Sequence, residues 1–339
     1  MSVKNVINLK ETIQFPDIPG LNFRGFRGET DFSGMVAVRD ACKEIDGMER
    51  VWTIEDYVRM FQHLVNCDPY QDMLFAEVDG RIIAFSRVWW DRESDDRLIC
   101  HLFHMILPEW RRDGIPQVFL AWNETRLREI AAGQQEGAGK LFRLWVGQKQ
   151  QDLAGLLEKN GYKPVRYFFQ MVRPNLENIP DLPMPEGLET RIPATREEYR
   201  KVFKALEEVF QDHWGATSWK DEWFEAWLIE PTFDPTIWQV AYDGDEVVGT
   251  VMTFIDEREN LEFNRKRGYT EDITVKRQYR RRGLAKTLIS RSLKVLKERG
   301  LEEAALGVDA DNANGALGLY ESMGYVQVKR DMVLEKALQ

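Results

Sequence analysis

The hydrophobic pattern is clearest over residues 284–296. Leu284 with Leu288, and Ala285 with Ile289, Leu293 and Leu296, recur at helical spacing and place one apolar stripe along the segment. Gly300 supplies its C-terminal stop. Elsewhere the period shortens toward two. LFAEVDGRIIAFSRVWW (74–90) and WQVAYDGDEVVGTVMTF (238–254) each set two β-rich runs around a turn dipeptide, Asp79-Gly80 and Asp243-Gly244, and predict hairpins. LLEKNGYKPVRYFFQMV (156–172) and GLYESMGYVQVKRDMVL (318–334) each predict a helix, a Gly-Tyr stop and a strand.

These features come in the same order twice. Between the hairpin and the closing segment, each half also carries a strand followed by a basic, glycine-bearing turn: MILPEWRRDGIP (105–116) and ITVKRQYRRRGLA (273–285). Gly80 and Gly244 stand 164 residues apart, Gly114 and Gly283 169, and Gly161 and Gly324 163. Four ordered features at nearly constant offset indicate a duplicated unit, with small length changes in the loops. Strands interleaved with helices predict an α/β (α+β mixed sheet) architecture. RPNLENIPDLPMPEGL (173–188) carries four prolines, each lacking an N–H donor and biasing its predecessor to extended backbone. The expected organisation is therefore a first domain over 1–173, a linker over 174–187 and a second domain over 188–339.

Composition narrows the chemistry. The 339 residues are 43% hydrophobic and 30% charged, which suits two globular cores. The net charge of −10 argues against binding nucleic acid by bulk phosphate attraction and mildly favours cationic partners such as amines. Three scattered cysteines without a CxxC, and four scattered histidines, make neither a disulfide framework nor a metal cluster. No apolar run reaches membrane-spanning length, and MSVKNVINLKETIQF lacks the continuous apolar centre of a signal peptide. The expectation is a reduced, cytoplasmic protein without nucleic acid, membrane or metal; the composition does not give the oligomeric state.

The strand Ile273-Thr274-Val275 feeds a helix through Arg280-Arg281-Arg282-Gly283-Leu284-Ala285. A helix N-terminus offers unpaired N–H groups and the positive end of the dipole, so cations placed there oppose the dipole unless an anion joins them. Gly283 and the small Ala285 permit close approach, and arginines pair bidentately with phosphate, so the turn suits a pyrophosphate. VKRQYRRRGLA carries V-x₄-R-x-x-G-x-A and resembles the acetyl-CoA signature of the GNAT superfamily of N-acetyltransferases; Asn312 to Tyr325 resembles that family's N…A…LY…GF/Y segment.

The resemblance implies two tandem GNAT-like acyl-CoA N-acyltransferase domains, with acetyl-CoA as co-substrate. It implies a sheet splayed beside the third strand, where the pantetheine arm pairs with the backbone of Ile273, Thr274 and Val275. Arg280, Arg281, Arg282, Gly283, Leu284, Ala285 and Lys286 would wrap the pyrophosphate, and Asn312 or Asn314 would touch the cofactor arm. Tyr320 matches the family's proton donor to the leaving thiolate. Glu271 and Asp272 stand where the family often places an acid, and strict alternation would set Asp272 with Thr274 on one face and Glu271 with Ile273 and Val275 on the other. Asp272 is the slightly preferred base. Asp212, His213 and Trp214 are candidates to wall the acceptor site, the aromatic ring and carboxylate suiting an ammonium group; His213 is an alternative base.

The first half departs from the motif. Its turn reads Arg111-Arg112-Asp113-Gly114-Ile115-Pro116, with proline in place of Ala285, and Leu157 stands where the second half has Tyr320. What the resemblance implies is an N-acetyltransferase that moves an acetyl group from acetyl-CoA to a primary amine of a small molecule or peptide, with chemistry in the second half only. The alternatives are a non-catalytic acyl-CoA sensor or a tandem-domain aminoacyl or long-chain acyl transferase.

Overall fold

The computed structural model describes residues 15–312 and 315–338. The chain divides into two compact units: unit 1 comprises Met1–Arg166 with Asp331–Gln339, and unit 2 comprises Tyr167–Arg330.

In chain order, unit 1 holds β1 (Leu21–Arg24), α1 (Phe32–Asp46), α2 (Ile54–Gln62), α3 (Pro69–Asp72), β2 (Met73–Val78), β3 (Arg81–Arg92), β4 (Arg97–Ile106), α4 (Ile115–Ala132), β5 (Gly139–Val146), α5 (Gln151–Lys159) and the start of β6 (Lys163–Arg173). β1 to β4 pair as an antiparallel meander, whereas β4 and β5 run parallel. The β2–β3 hairpin turns at Asp79 (φ 50°) and Gly80 (φ 82°), both left-handed, as the Asp-Gly dipeptide predicts. The sixth strand is the end of the chain: residues 332–337 pair antiparallel with β5.

Unit 2 repeats this plan. After the end of β6 come β7 (Glu189–Thr190), α6 (Arg196–Phe210), α7 (Asp221–Leu228), β8 (Gln239–Asp243), β9 (Glu246–Phe254), α8 (Glu257–Glu262), β10 (Arg267–Val275), α9 (Leu284–Glu298), β11 (Glu303–Asp309), α10 (Ala316–Ser322) and the start of β12 (Val326–Ala337). β7 to β10 are antiparallel and β10–β11 parallel. The sixth strand here is residues 168–173, paired antiparallel with β11. The strand closing the first half of the sequence thus completes the sheet of unit 2, and the strand closing the second half completes unit 1. A period of two states that a strand exists and cannot name its neighbour.

The compact units therefore divide at 166/167 and 330/331, away from the proline-rich stretch. That stretch is part of unit 2. Leu176 is buried in its core, Thr287 Oγ1 donates to the Pro183 carbonyl at 3.0 Å, and Ser290 Oγ donates to the Pro180 carbonyl. Prolines keep the segment out of regular structure while its carbonyls satisfy hydroxyls of α9.

α6 starts at a capping box: Thr195 Oγ1 accepts from the Glu198 N–H, and the Glu198 carboxylate accepts from the Thr195 N–H. Its Val202, Leu206 and Val209 are buried. α9 buries Leu284, Leu288, Ile289, Leu293 and Leu296 of the stripe read from the sequence, while Ala285 is half-buried.

Candidate active site

The parallel ladder between β10 and β11 covers only Arg267–Tyr269 against Glu303–Ala305. Beyond it the strands part. β10 continues against β9 to Val275, and β11 continues against residues of β6 to Asp309. The β9–β10 register shifts between Glu271 and Thr274, and Asp272 lies there with φ 44°. This bulge overturns the strict alternation expected through residues 271–275. Glu271 reaches across the gap, where its Oε1 accepts from the Gly307 N–H at 2.9 Å, an amide left without a ladder partner. Burial, with Asp272 adding like charge, pushes the Glu271 carboxyl up to about 8; burial alone raises Asp272 to about 6.

Beside the splay lies a cleft of about 420 Å³. Its floor is Ile273 and Val275; one end is the turn Arg280, Arg281, Gly283, Leu284, Ala285 and Lys286. Gly283 is the N-cap of α9, in the left-handed conformation (φ 86°), and no heavy atom lies within 4 Å of a Cβ built there. The first α9 backbone bond to be closed is Thr287 N–H to the Gly283 carbonyl, so the amides of Leu284, Ala285 and Lys286 precede the intrahelical ladder. The first turn contains no acid. The end of the cleft is thus electropositive, open and donor-rich, the requirements for a pyrophosphate.

Tyr320 lines the same cleft. Its ring is buried, edge-on to Tyr325 at 6.3 Å, and its hydroxyl has no hydrogen-bond partner among the described residues. Burial, then the charges of Glu271 and other neighbours, raises its pKa well above that of an ordinary phenol, so the hydroxyl carries its proton at neutral pH. Asn312 and His213 also line the cleft. Burial lowers the His213 pKa, which keeps the imidazole neutral near pH 7. Asn314 lies outside the described residues.

Other sequence candidates lie elsewhere. Thr274 is buried away from the cleft, its hydroxyl 2.7 Å from that of Thr250. Arg282 donates to the Glu186 carbonyl at 3.1 Å. Trp214 packs near Phe168, with ring centroids 6.3 Å apart. Asp212 faces the basic turn. Its Oδ2 accepts from Arg277 Nε at 2.9 Å and Arg280 Nη2 at 3.0 Å, and the Arg277 hydrogen bond is the main cause holding its carboxyl down at about 2. Arg280 Nε in turn donates to the Val275 carbonyl at 3.0 Å.

Unit 1 has the same construction. Arg111 pairs bidentately with Asp46 at 2.7 and 2.8 Å, and its Nε donates to the Ile106 carbonyl at 3.0 Å. In both units, then, an acid at the end of the first long helix holds the turn's arginine, which bonds the end of the last meander strand. The repetition identifies Asp212 with Arg280 as a structural clasp. The sequence displayed both acids but no link between residues so far apart along the chain. Val209 and Tyr279, which also line the cleft beside Ala316 and Leu319, were not legible in the sequence because such positions look like ordinary core.

Residues 199–325 match the acetyltransferase (GNAT) family. A mycothiol acetyltransferase of Geodermatophilus obscurus is 25% identical over 269 residues, covering 79% of this chain and 82% of that protein. A GCN5-related N-acetyltransferase of Sphaerobacter thermophilus superposes with a TM-score of 0.71 at 24% identity, over 96% of this chain and 98% of its own. A tandem GNAT protein from the clavulanic acid biosynthesis pathway superposes with a TM-score of 0.67 at 12% identity, over 94% and 99%. Among the described residues, no helix is long and apolar enough to cross a membrane. With the donor-rich turn, the splayed strands and these likenesses in place, residues 199–325 carry an acetyltransferase (GNAT) domain, and the chain over most of its length resembles mycothiol acetyltransferase.

Proposed function

We propose that unit 2 transfers an acetyl group from acetyl-CoA to the primary amine of a small molecule or peptide. The carrying observation is that the donor-rich start of α9 and the unpartnered Tyr320 hydroxyl open on one cleft. The pyrophosphate binds the amides of Leu284, Ala285 and Lys286 with Arg281, while Arg280 holds the turn through its bond to Val275 and its pair with Asp212. The pantetheine arm runs along Ile273 and Val275, where β10 has lost its parallel partner. Asn312, at the cleft wall, contacts the arm.

Acetyl transfer needs a neutral amine, a polarised thioester carbonyl and a proton for the departing thiolate. Placing both reactants in one cleft supplies much of the rate. Glu271 takes the amine proton directly or through a water. Its raised pKa makes it a more effective base near neutrality than an ordinary carboxylate. The amine attacks the thioester carbonyl, the tetrahedral intermediate collapses, and Tyr320 Oη gives its proton to the coenzyme A sulfur. Asp272, on the bulge beside Glu271, keeps that carboxyl basic through like charge. His213, on the cleft lining, walls the acceptor in this reading.

Unit 1 is the non-catalytic copy in this reading. Pro116 occupies the first turn of α4 and removes one of the amides that a phosphate would use. Leu157 replaces the tyrosine.

The test is release of free thiol from acetyl-CoA with a panel of amines, together with longer acyl-CoA and aminoacyl donors. Amines related to mycothiol head the panel, given the names carried by relatives that span most of this chain. Amine-dependent thiol release that Tyr320→Phe abolishes supports the reading. Binding of acetyl-CoA without turnover on any amine would favour a sensor, and turnover restricted to another donor would replace the acetyl group.

A further inference from the structure

On unit 1, where α1 and α2 pack on the sheet, an arginine of the sheet and an arginine of α1 meet with no acid between them. Arg87 stands on β3 directly opposite Phe103 of β4. Arg39 of α1 lies over the same Phe103, its Cζ 5.2 Å from the ring centroid and 4.3 Å from that of Trp52. Arg39 Nε donates to the Tyr57 hydroxyl at 2.6 Å. The polar contact of Arg87 is the Met60 thioether, 3.4 Å from Nη1, and its Cζ lies 4.9 Å from the Trp89 ring. Neither guanidinium pairs with a carboxylate among the described residues.

Cys67, Tyr57 and His101, the titratable groups beside the two arginines, bring no negative charge. Burial pushes the Cys67 thiol up to about 12 and raises the Tyr57 phenol, so both are neutral. His101, stacked on Trp89 at 4.9 Å, is driven down to about 3 by burial and the charges of Arg143 and Arg87. The nearby acids are committed elsewhere: Asp40 lies 3.4 Å from Lys43, Asp56 pairs with Arg59, Asp72 with Arg126, and Asp91 contacts His101.

An arginine taken out of water is normally paired, and two like charges on one face oppose each other. Burial and the Arg39 charge both press against the charged form of Arg87. Each fork carries five N–H donors, of which Arg39 spends one on Tyr57 and Arg87 meets only a weak sulfur acceptor. The complement is a planar oxyanion that takes parallel N–H bonds from a guanidinium. The surroundings are aromatic, Trp52, Tyr57, Trp89 and Phe103, and the nearby start of α2 is already capped by the Asp56 carboxylate on the Thr53 N–H, which favours a carboxylate on an apolar or aromatic body over a phosphate.

We propose that Arg39 and Arg87 form a recognition site of unit 1 for a carboxylate-bearing small molecule. The proposal is independent of the transferase reading, which rests on unit 2. It gives the half of the chain with the degenerate phosphate turn a ligand of its own.

Sodium benzoate is the probe, titrated into the full-length protein at constant ionic strength with sodium chloride as the balancing salt. Binding is read from the fluorescence of Trp52 and Trp89 and from the thermal midpoint. Benzoate should raise the midpoint and saturate the fluorescence change, with chloride doing neither. Arg87→Met, which keeps the length and apolar packing, should weaken benzoate binding at least tenfold. Arg39→Lys, which keeps the charge and loses the fork, should do the same and serves alone if the methionine variant does not fold. Identical melting curves in benzoate and chloride, or wild-type benzoate affinity in a folded variant, would overturn the proposal.

Discussion

Substituting Glu271 by glutamine separates its two contributions. The amide oxygen can still accept from Gly307 N–H, so the splay is preserved while the titrating group is lost. With the carboxyl at about 8, roughly a tenth is ionised at pH 7 and about a hundredth at pH 6. If ionised Glu271 takes the amine proton, kcat/KM of the wild type should rise nearly tenfold per pH unit up to about pH 8. Glu271→Gln should lose that ascending limb and about 10²–10⁴ of the rate above it. Stability moves oppositely. The folded carboxyl has the higher pKa, so the folded chain holds more protons than the unfolded one between about 4.5 and 8. The stability present below pH 4.5 is therefore lost as pH rises through 8, by roughly 2–5 kcal/mol for a shift of this size. Glu271→Gln should unfold at higher denaturant than wild type at pH 9 and at nearly the same denaturant at pH 4.5. Stopped-time thiol release across pH 5.5–9.5, with urea melts at both ends, reads both effects. A variant within threefold of wild type that keeps the ascending limb would remove Glu271 from proton transfer and reopen Asp272 and His213.

Tyr320→Phe should leave acetyl-CoA affinity within twofold by calorimetry and lower kcat at least a hundredfold; unchanged turnover would exclude it as the proton donor. Gly283→Val forces a β-branched residue to φ 86°, at a cost of about 1–2 kcal/mol, and should raise the acetyl-CoA KM more than it lowers kcat; an unchanged KM would place the pyrophosphate elsewhere. Asp212→Asn should cost up to about 1 kcal/mol, because the clasp is partly screened by water. Since the folded Asp212 carboxyl lies below its ordinary value, at about 2, that loss should be full above about pH 4 and fade as pH falls toward 2; a pH-independent loss would remove the ion pair as its cause. Calorimetric titration of acetyl-CoA should give one site per chain, and two equivalent sites would contradict the reading of Pro116 and Leu157 as disabling.

Some of this protein was written locally. The α9 stripe, the Asp-Gly hairpin, the capping box at Thr195 and the basic turn with Gly283 each depend on residues within a few positions of one another, so side-chain period and backbone preference determine them. The cleft residues Ile273, Val275, Gly283, Ala285, Asn312 and Tyr320 could be picked out for the same reason, because each belongs to a short motif. Contacts between distant residues were decided by tertiary structure. The sixth strand of each sheet comes from the far half of the chain, a pairing that alternation cannot encode. The bulge at Asp272 and the Glu271–Gly307 bond exist because β10 and β11 part, and that depends on both strands. Asp212 reads as a lone acid beside aromatics until folding brings it to Arg277 and Arg280, and Arg39 and Arg87, far apart along the chain, meet at Phe103 without an acid only when α1 packs on the sheet. Local preference acts over one or two turns of chain, whereas charge pairing and desolvation depend on what folding makes adjacent.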